Sequence, residues 1–125
     1  MLEYPETRYK SSATSPLSQV VKAGGMYFIS GQISKDYETK KIVGKNVTEQ
    51  AEQVMKNIGV MLESLDLDYS DVAKTTCYLT DSDNIPAFNE VYKRYFINKP
   101  SRVCLTVRDL PSHVLCEVEC IAFVR

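Results

Sequence analysis

Apolar positions change their period several times along the chain, and each change marks an element. Residues 18–23 and 26–30 are two short apolar runs separated by Gly24-Gly25. A Gly-Gly pair supplies the positive φ angles of a tight hairpin turn, so these runs predict paired antiparallel strands. Residues 35–45, with Asp36, Thr39 and Gly44, are polar and predict a surface loop. Spacings of three and four then take over. Val47, Ala51, Val54, Met55, Ile58, Met61, Leu62 and Leu65 form one face of a helix of about five turns. Asn46, with Glu49 three residues on, resembles a capping box at its start. Residues 72–80, rich in Val, Thr and Tyr, predict a strand. A second apolar stripe, Ile85, Phe88, Val91, Tyr92, Tyr95 and Phe96, predicts a second helix. Asp83 is its expected N-cap, Pro86 fits its first turn, and Asn98 and Pro100 lie past its end. Residues 101–108 and 114–124 alternate as two closing strands.

The predicted order is β-β-α-β-α-β-β. Both helices are one-sided, which implies an α+β fold of two layers, a mixed β-sheet with two helices on one face. The other face of that sheet carries information of its own. In the last strand Val114, Cys116, Val118, Cys120, Ala122 and Val124 point one way, a row suited to the helix layer. Leu115, Glu117, Glu119, Ile121 and Phe123 point the other way, mixing large apolar groups with two carboxylates. The strand before it places Val103, Leu105 and Val107 on one side and Arg102, Cys104, Thr106 and Arg108 on the other. A sheet with apolar residues on its second face buries them on another subunit, so a homo-oligomer is expected. Carboxylates at such an interface need partners, and arginine is the simplest one.

Composition narrows the class. With 125 residues, 44% apolar and 25% charged, the chain has the size and mix of one globular domain, expected to span 1–125. Fifteen Lys and Arg stand against sixteen Asp and Glu, a net charge of −1. That balance argues against a protein built to grip a phosphate backbone. The first ten residues carry charges and no apolar h-region follows, and no apolar stretch reaches membrane-span length, so a cytoplasmic protein without a membrane contact is expected. Cys77, Cys104, Cys116 and Cys120 form no C-x-x-C pair and read as small buried hydrophobes. His113 is the single histidine, which excludes a His-rich metal site, and no metal is expected.

Few residues stand out for chemistry. Arg102, after Lys99-Pro100-Ser101, has the guanidinium fork that holds a carboxylate by two parallel hydrogen bonds, although a salt bridge between subunits explains it as readily. Glu117 and Glu119 share a strand face about 7 Å apart and form a candidate acid/base pair or an ordinary structural one. Ser30-Gly31-Gln32 ends a strand, where glycine permits close backbone approach to a ligand or simply a turn. The eight tyrosines are scattered and form no stacking platform for single-stranded nucleic acid.

Taken together, Ser30-Gly31-Gln32, Lys74-Thr75-Thr76, Leu79-Thr80-Asp81, Phe88-Asn89-Glu90-Val91-Tyr92, Pro100-Ser101-Arg102-Val103-Cys104 and Glu117-Val118-Glu119-Cys120-Ile121-Ala122 resemble the YjgF/RidA (endoribonuclease L-PSP-like) family. The resemblance runs from about residue 12 to the C-terminus. It implies a chorismate-mutase-like fold and a homotrimer with ligand clefts between subunits. It also implies cofactor-free hydrolysis of 2-enamino and 2-imino acids to 2-keto acids and ammonia. By position, Arg102 would clamp the substrate carboxylate and Glu117 would position the attacking water. Cys104 would act through its backbone, Ser30 and Gly31 would line the pocket, and Asn89 would support it. One position departs from the family pattern: its Gly-Pro-Tyr-Ser-Gln segment is Ser15-Pro16-Leu17-Ser18-Gln19 here, so Leu17 replaces a tyrosine that lies near the ligand. Two other readings stay beside deamination. One is the single-strand endoribonuclease or translation-inhibitor activity attributed to some members. The other is small-acid binding without catalysis.

Overall fold

In the computed structural model, which describes residues 1–125, the chain runs through eight strands and two α-helices. The strands are β1 (Leu2–Glu3), β2 (Val20–Ala23), β3 (Met26–Gln32), β4 (Lys35–Asp36), β5 (Lys41–Ile42), β6 (Val72–Leu79), β7 (Ser101–Thr106) and β8 (Cys116–Phe123). The helices are α1 (Val47–Ser64) and α2 (Ile85–Tyr95). Six strands make one sheet in the order β1-β2-β3-β8-β6-β7. Only β6 and β7 are parallel, joined by α2, so the sheet is mixed. The two-layer α+β architecture follows from one-sided helices seeking a partner surface. No helix is long and apolar enough to cross a membrane.

The core lies between helices and sheet. Ala51, Val54, Met55, Ile58, Met61 and Leu62 of α1 are fully buried, as are Cys116, Val118 and Ala122 of β8 and Phe88 of α2. The alternation in β8 is as its period requires, with one exception at its end. Val124 lies beyond the strand and is exposed rather than in the buried row. The opposite face bears Phe28, Val103, Leu105 and Phe123, all exposed, beside half-buried Leu115 and Ile121.

Several boundaries differ from the sequence reading, each for a local reason. The polar stretch after β3 is a small hairpin, β4–β5, closed by Lys40 at φ 63 and by Asp36, whose carboxylate accepts from the Glu38 and Thr39 amides. Two-residue strands carry no readable period, and β1 is another of that length. At α1, Asn46 accepts from the Glu49 amide at 2.9 Å as expected, but Glu49 reaches back to the Lys45 amide, one residue before the cap. Asp83 does not cap α2. A 3-10 turn, Ser82–Asn84, runs directly into that helix, so the capping side chain moves upstream to Asp81, which accepts from the Asp83 amide at 2.9 Å. The C-terminus is tied down by Arg125, which donates to Asp71 at 3.0 Å and Asp68 at 2.7 Å.

Candidate functional site

Register decides where the candidate residues point. In the parallel pair, Arg102 lies opposite Thr75 and Cys104 opposite Cys77. Across the other ladder Cys77 lies opposite Val118, and Tyr78 opposite Glu117. Side chains alternate along a strand. Arg102 and Cys104 therefore share the helix-covered face with Val118, and Glu117 projects from the open face. Arg102 and Glu117 of one protomer lie on opposite sides of the sheet.

Around Arg102 the geometry is well defined. Its Nη1 donates to Asn89 Oδ1 of α2 at 2.8 Å. The guanidinium carbon sits 4.8 Å from the centroid of the Tyr92 ring. Tyr92 in turn shares a buried 2.7 Å hydrogen bond with Thr75 Oγ1. Asn89 and Tyr92 are three apart on α2, so they present to the same edge of the sheet. Desolvation pushes the Tyr92 hydroxyl up to about 12 and the Cys77 thiol up to about 12, so both stay protonated. Cys104, half-buried beside them, is a free thiol.

The second group gathers on the open face. The ladder between β3 and β8 shifts register between Ile29 and Gln32, which sets Ser30 and Gly31 in a bulge beside Glu117. A Cβ at Gly31 would overlap Glu117 Oε2 and lie 3.0 Å from its Cδ, so a side chain here would displace the carboxylate. Burial, and then the nearby charge of Glu119, raise the Glu117 carboxyl above the ordinary glutamate value. Glu119 accepts a 2.7 Å hydrogen bond from Tyr78. Ser30 Oγ donates to the Ser18 carbonyl at 2.6 Å, and its amide to the Gln19 carbonyl at 2.9 Å. These bonds lay the Leu17–Gln19 segment along the bulge and leave Leu17 51% exposed.

Behind the bulge, Gln32 is fully buried. Its amide nitrogen donates to Gln19 Oε1 at 3.1 Å and to the Ser30 carbonyl at 3.0 Å. Tyr37 donates to its oxygen at 2.9 Å, and Gln19 Nε2 donates to the Tyr37 hydroxyl at 3.3 Å. Every polar atom of the Gln32 side chain is thus engaged, which holds the bulge in one shape.

Of the residues singled out from the sequence, the structure brings together Arg102, Cys104 and Asn89 on one face. It brings together Ser30, Gly31 and Glu117 at the other, with Leu17 one residue before the Ser18 carbonyl that accepts from Ser30. It does not join the two groups within a chain. Sequence reasoning passed over Thr75, Tyr92, Gln32 and Tyr37 as site elements. Tyr92 was indistinguishable from the rest of its apolar stripe. For Gln32 a signal existed, since a glutamine inside an apolar strand calls for buried partners.

Two helices over one face of a mixed sheet, with this strand order, define the fold of the L-PSP/YjgF structures. The chain belongs to the family described as Endoribonuclease L-PSP, whose profile matches residues 7–124. A RutC family protein of Pyrococcus horikoshii is 44% identical over 109 residues, 86% of each chain. Reactive Intermediate Deaminase A, a chloroplastic protein of Arabidopsis thaliana, is 40% identical over 121 residues, 96% of this chain and 65% of that one. The crystal structure of Escherichia coli TdcF with bound serine superposes with a TM-score of 0.88 at 33% identity, covering 98% of this chain and 99% of that one.

Proposed function

We propose that this protein hydrolyses reactive 2-enamino and 2-imino acids to 2-keto acids and ammonia, at clefts between the subunits of a homotrimer, with no cofactor. The observation that carries the reading is the separation of Arg102 from Glu117 on opposite faces of one sheet. Each is the half of a site that only a second copy completes, and the exposed apolar residues of the open face supply the contact. The Arabidopsis relative, a reactive intermediate deaminase by name, and the serine bound to TdcF support a small amino-acid-derived substrate.

The chemistry needs little beyond orientation. Arg102 presents its fork to the carboxylate, steadied by Asn89. Glu117 takes a proton from water as the water oxygen bonds to the carbon of the protonated imine, the iminium, and the C=N π pair moves to nitrogen. The proton then passes from Glu117 to the nitrogen, the C–N bond breaks, and the hydroxyl oxygen becomes the keto oxygen. The hydroxyl proton leaves with the ammonia as ammonium. A carboxyl raised by burial is a stronger base than an ordinary glutamate, which suits this role. Gly31 and Ser30 line the pocket, Cys104 contributes its backbone and Leu17 forms an apolar wall.

One observation favours a second reading. Leu17 offers no hydroxyl to a ligand where the family pattern has tyrosine, and this fits small-acid binding without turnover. Generating imino acids with an L-amino-acid oxidase and following imine decay separates the readings. Faster decay in the presence of the protein supports deamination. Pyruvate binding without faster decay supports the binder, and cleavage of single-stranded RNA without either supports the endoribonuclease activity.

A further inference from the structure

We propose that Tyr92, pinned by Thr75, is a positioning residue that fixes the Arg102 guanidinium for carboxylate binding; the functional part of this inference rests on the carboxylate-clamp reading above. Arg102 belongs to β7, the outermost strand of the sheet, where a long side chain is otherwise free to sample many rotamers. Two contacts remove that freedom. Asn89 takes Nη1, and the Tyr92 ring lies under the guanidinium at 4.8 Å, the range of a cation–π contact. The remaining guanidinium donors have no side-chain partner in the protomer and stay available to a planar carboxylate.

The platform is itself held from three sides. Phe96 packs 4.8 Å and Phe88 5.9 Å from the Tyr92 ring. Its hydroxyl meets Thr75, which is fully buried in β6 directly across the ladder from Arg102. The chain of contacts therefore runs from β6 to α2 and back to β7, a triangle closed by the strand pairing itself. A phenylalanine at 92 would keep the ring but leave Thr75 Oγ1 without this partner. The hydroxyl thus sets the tilt of the ring, and the ring sets the plane of the guanidinium.

The test joins binding to a direct readout of order. The Arg102 Nε–Hε signal, identified by its loss in Arg102→Lys, should show a high heteronuclear NOE in the unmodified protein. Tyr92→Leu should lower that NOE while the β7 backbone amides keep theirs. It should also raise Kd for pyruvate and KM for the imino acid about tenfold with a smaller change in kcat. Tyr92→Phe and Thr75→Val should each give an intermediate shift of about two- to threefold, and the double variant no more than either alone. An NOE unchanged in Tyr92→Leu overturns the platform, as does an unchanged Kd where pyruvate binds. If Tyr92→Leu does not fold, Tyr92→Phe and Thr75→Val decide: an unaltered NOE in both overturns the proposal. A protein that neither binds pyruvate nor consumes imines refutes the clamp reading instead, and the NOE series still decides whether Tyr92 orders Arg102.

Discussion

The two faces of the sheet solve opposite problems with the same strand. On the helix side, β8 contributes Cys116, Val118, Cys120 and Ala122, all buried within the chain. On the other side, it contributes Glu117, Glu119, Ile121 and Phe123, with Phe123 48% exposed. Apart from Arg102 at its edge, whose remaining donors have no side-chain partner, the first face is finished by the chain that makes it. Its groups are packed, and its polar members, Thr75 and Tyr92, bond each other. The second face has apolar area with no cover and a carboxyl whose charged form is disfavoured by burial. Stability resides in the closed face, and the proposed chemistry needs both, because each contributes one charged group.

The largest expected effect breaks the closed face. Phe88→Ala should cost about 4 kcal/mol in chemical denaturation, the penalty of a cavity where no exposed surface allows relaxation. Arg102→Ala should lower kcat/KM for imine hydrolysis by several hundredfold, about 3.5 kcal/mol, without changing particle size, and Lys should restore little because it lacks the fork. Steady-state kinetics beside light scattering checks both clauses. Glu117→Gln should reduce kcat about a hundredfold with pyruvate affinity kept. The rate of the unmodified protein should fall with acid at a pH above the ordinary carboxylate range, since burial raises this group. A dissociated Glu117→Gln protein with near-normal turnover in its remaining trimers would mark the residue as an interface ion-pair partner instead.

Smaller effects probe the open face. Phe123→Ser should leave protomer stability within about 1 kcal/mol, because the ring is not in the core, yet shift light scattering from the proposed three chains per particle towards one. In that dissociated background Glu117 should leave a weak pH signature. Its folded pKa lies above its unfolded one, so the folded state binds more protons between the two, and stability falls as pH rises through that window. Adding Glu117→Gln should flatten that slope in denaturation curves taken across mildly acid pH.

The helix stripes and the alternation in β8 were legible because burial imposes a period of 3.6 or 2 on many successive residues. The apolar character of the open face was legible too, since Leu115, Ile121 and Phe123 break the polar pattern of a solvated face, and Phe123 is indeed exposed in the protomer. What could not be read were relations across the ladder. That Arg102 and Glu117 face opposite ways depends on which residues pair between β6, β7 and β8, and no local pattern encodes that register. The cap of α2 was misplaced because Asp81 and Asp83 are both good capping residues, and only the 3-10 turn between them selects one. Tyr92 looked like core and is core; its second role exists only because Arg102 arrives over its ring.

A side chain at position 31 and the Glu117 carboxylate would claim one volume, and this ties their histories together. A descendant that acquires a side chain at position 31 displaces the carboxylate, because the Gln32 hydrogen bonds hold the bulge against it. Once Glu117 has been replaced by something smaller, larger residues at 31 become permissible and would accumulate freely. The way back then requires two simultaneous changes. A lineage that leaves this chemistry through position 117 therefore carries a ratchet: paralogues filled at 31 are expected to lack the carboxylate, and restoring the glutamate alone should not restore the site.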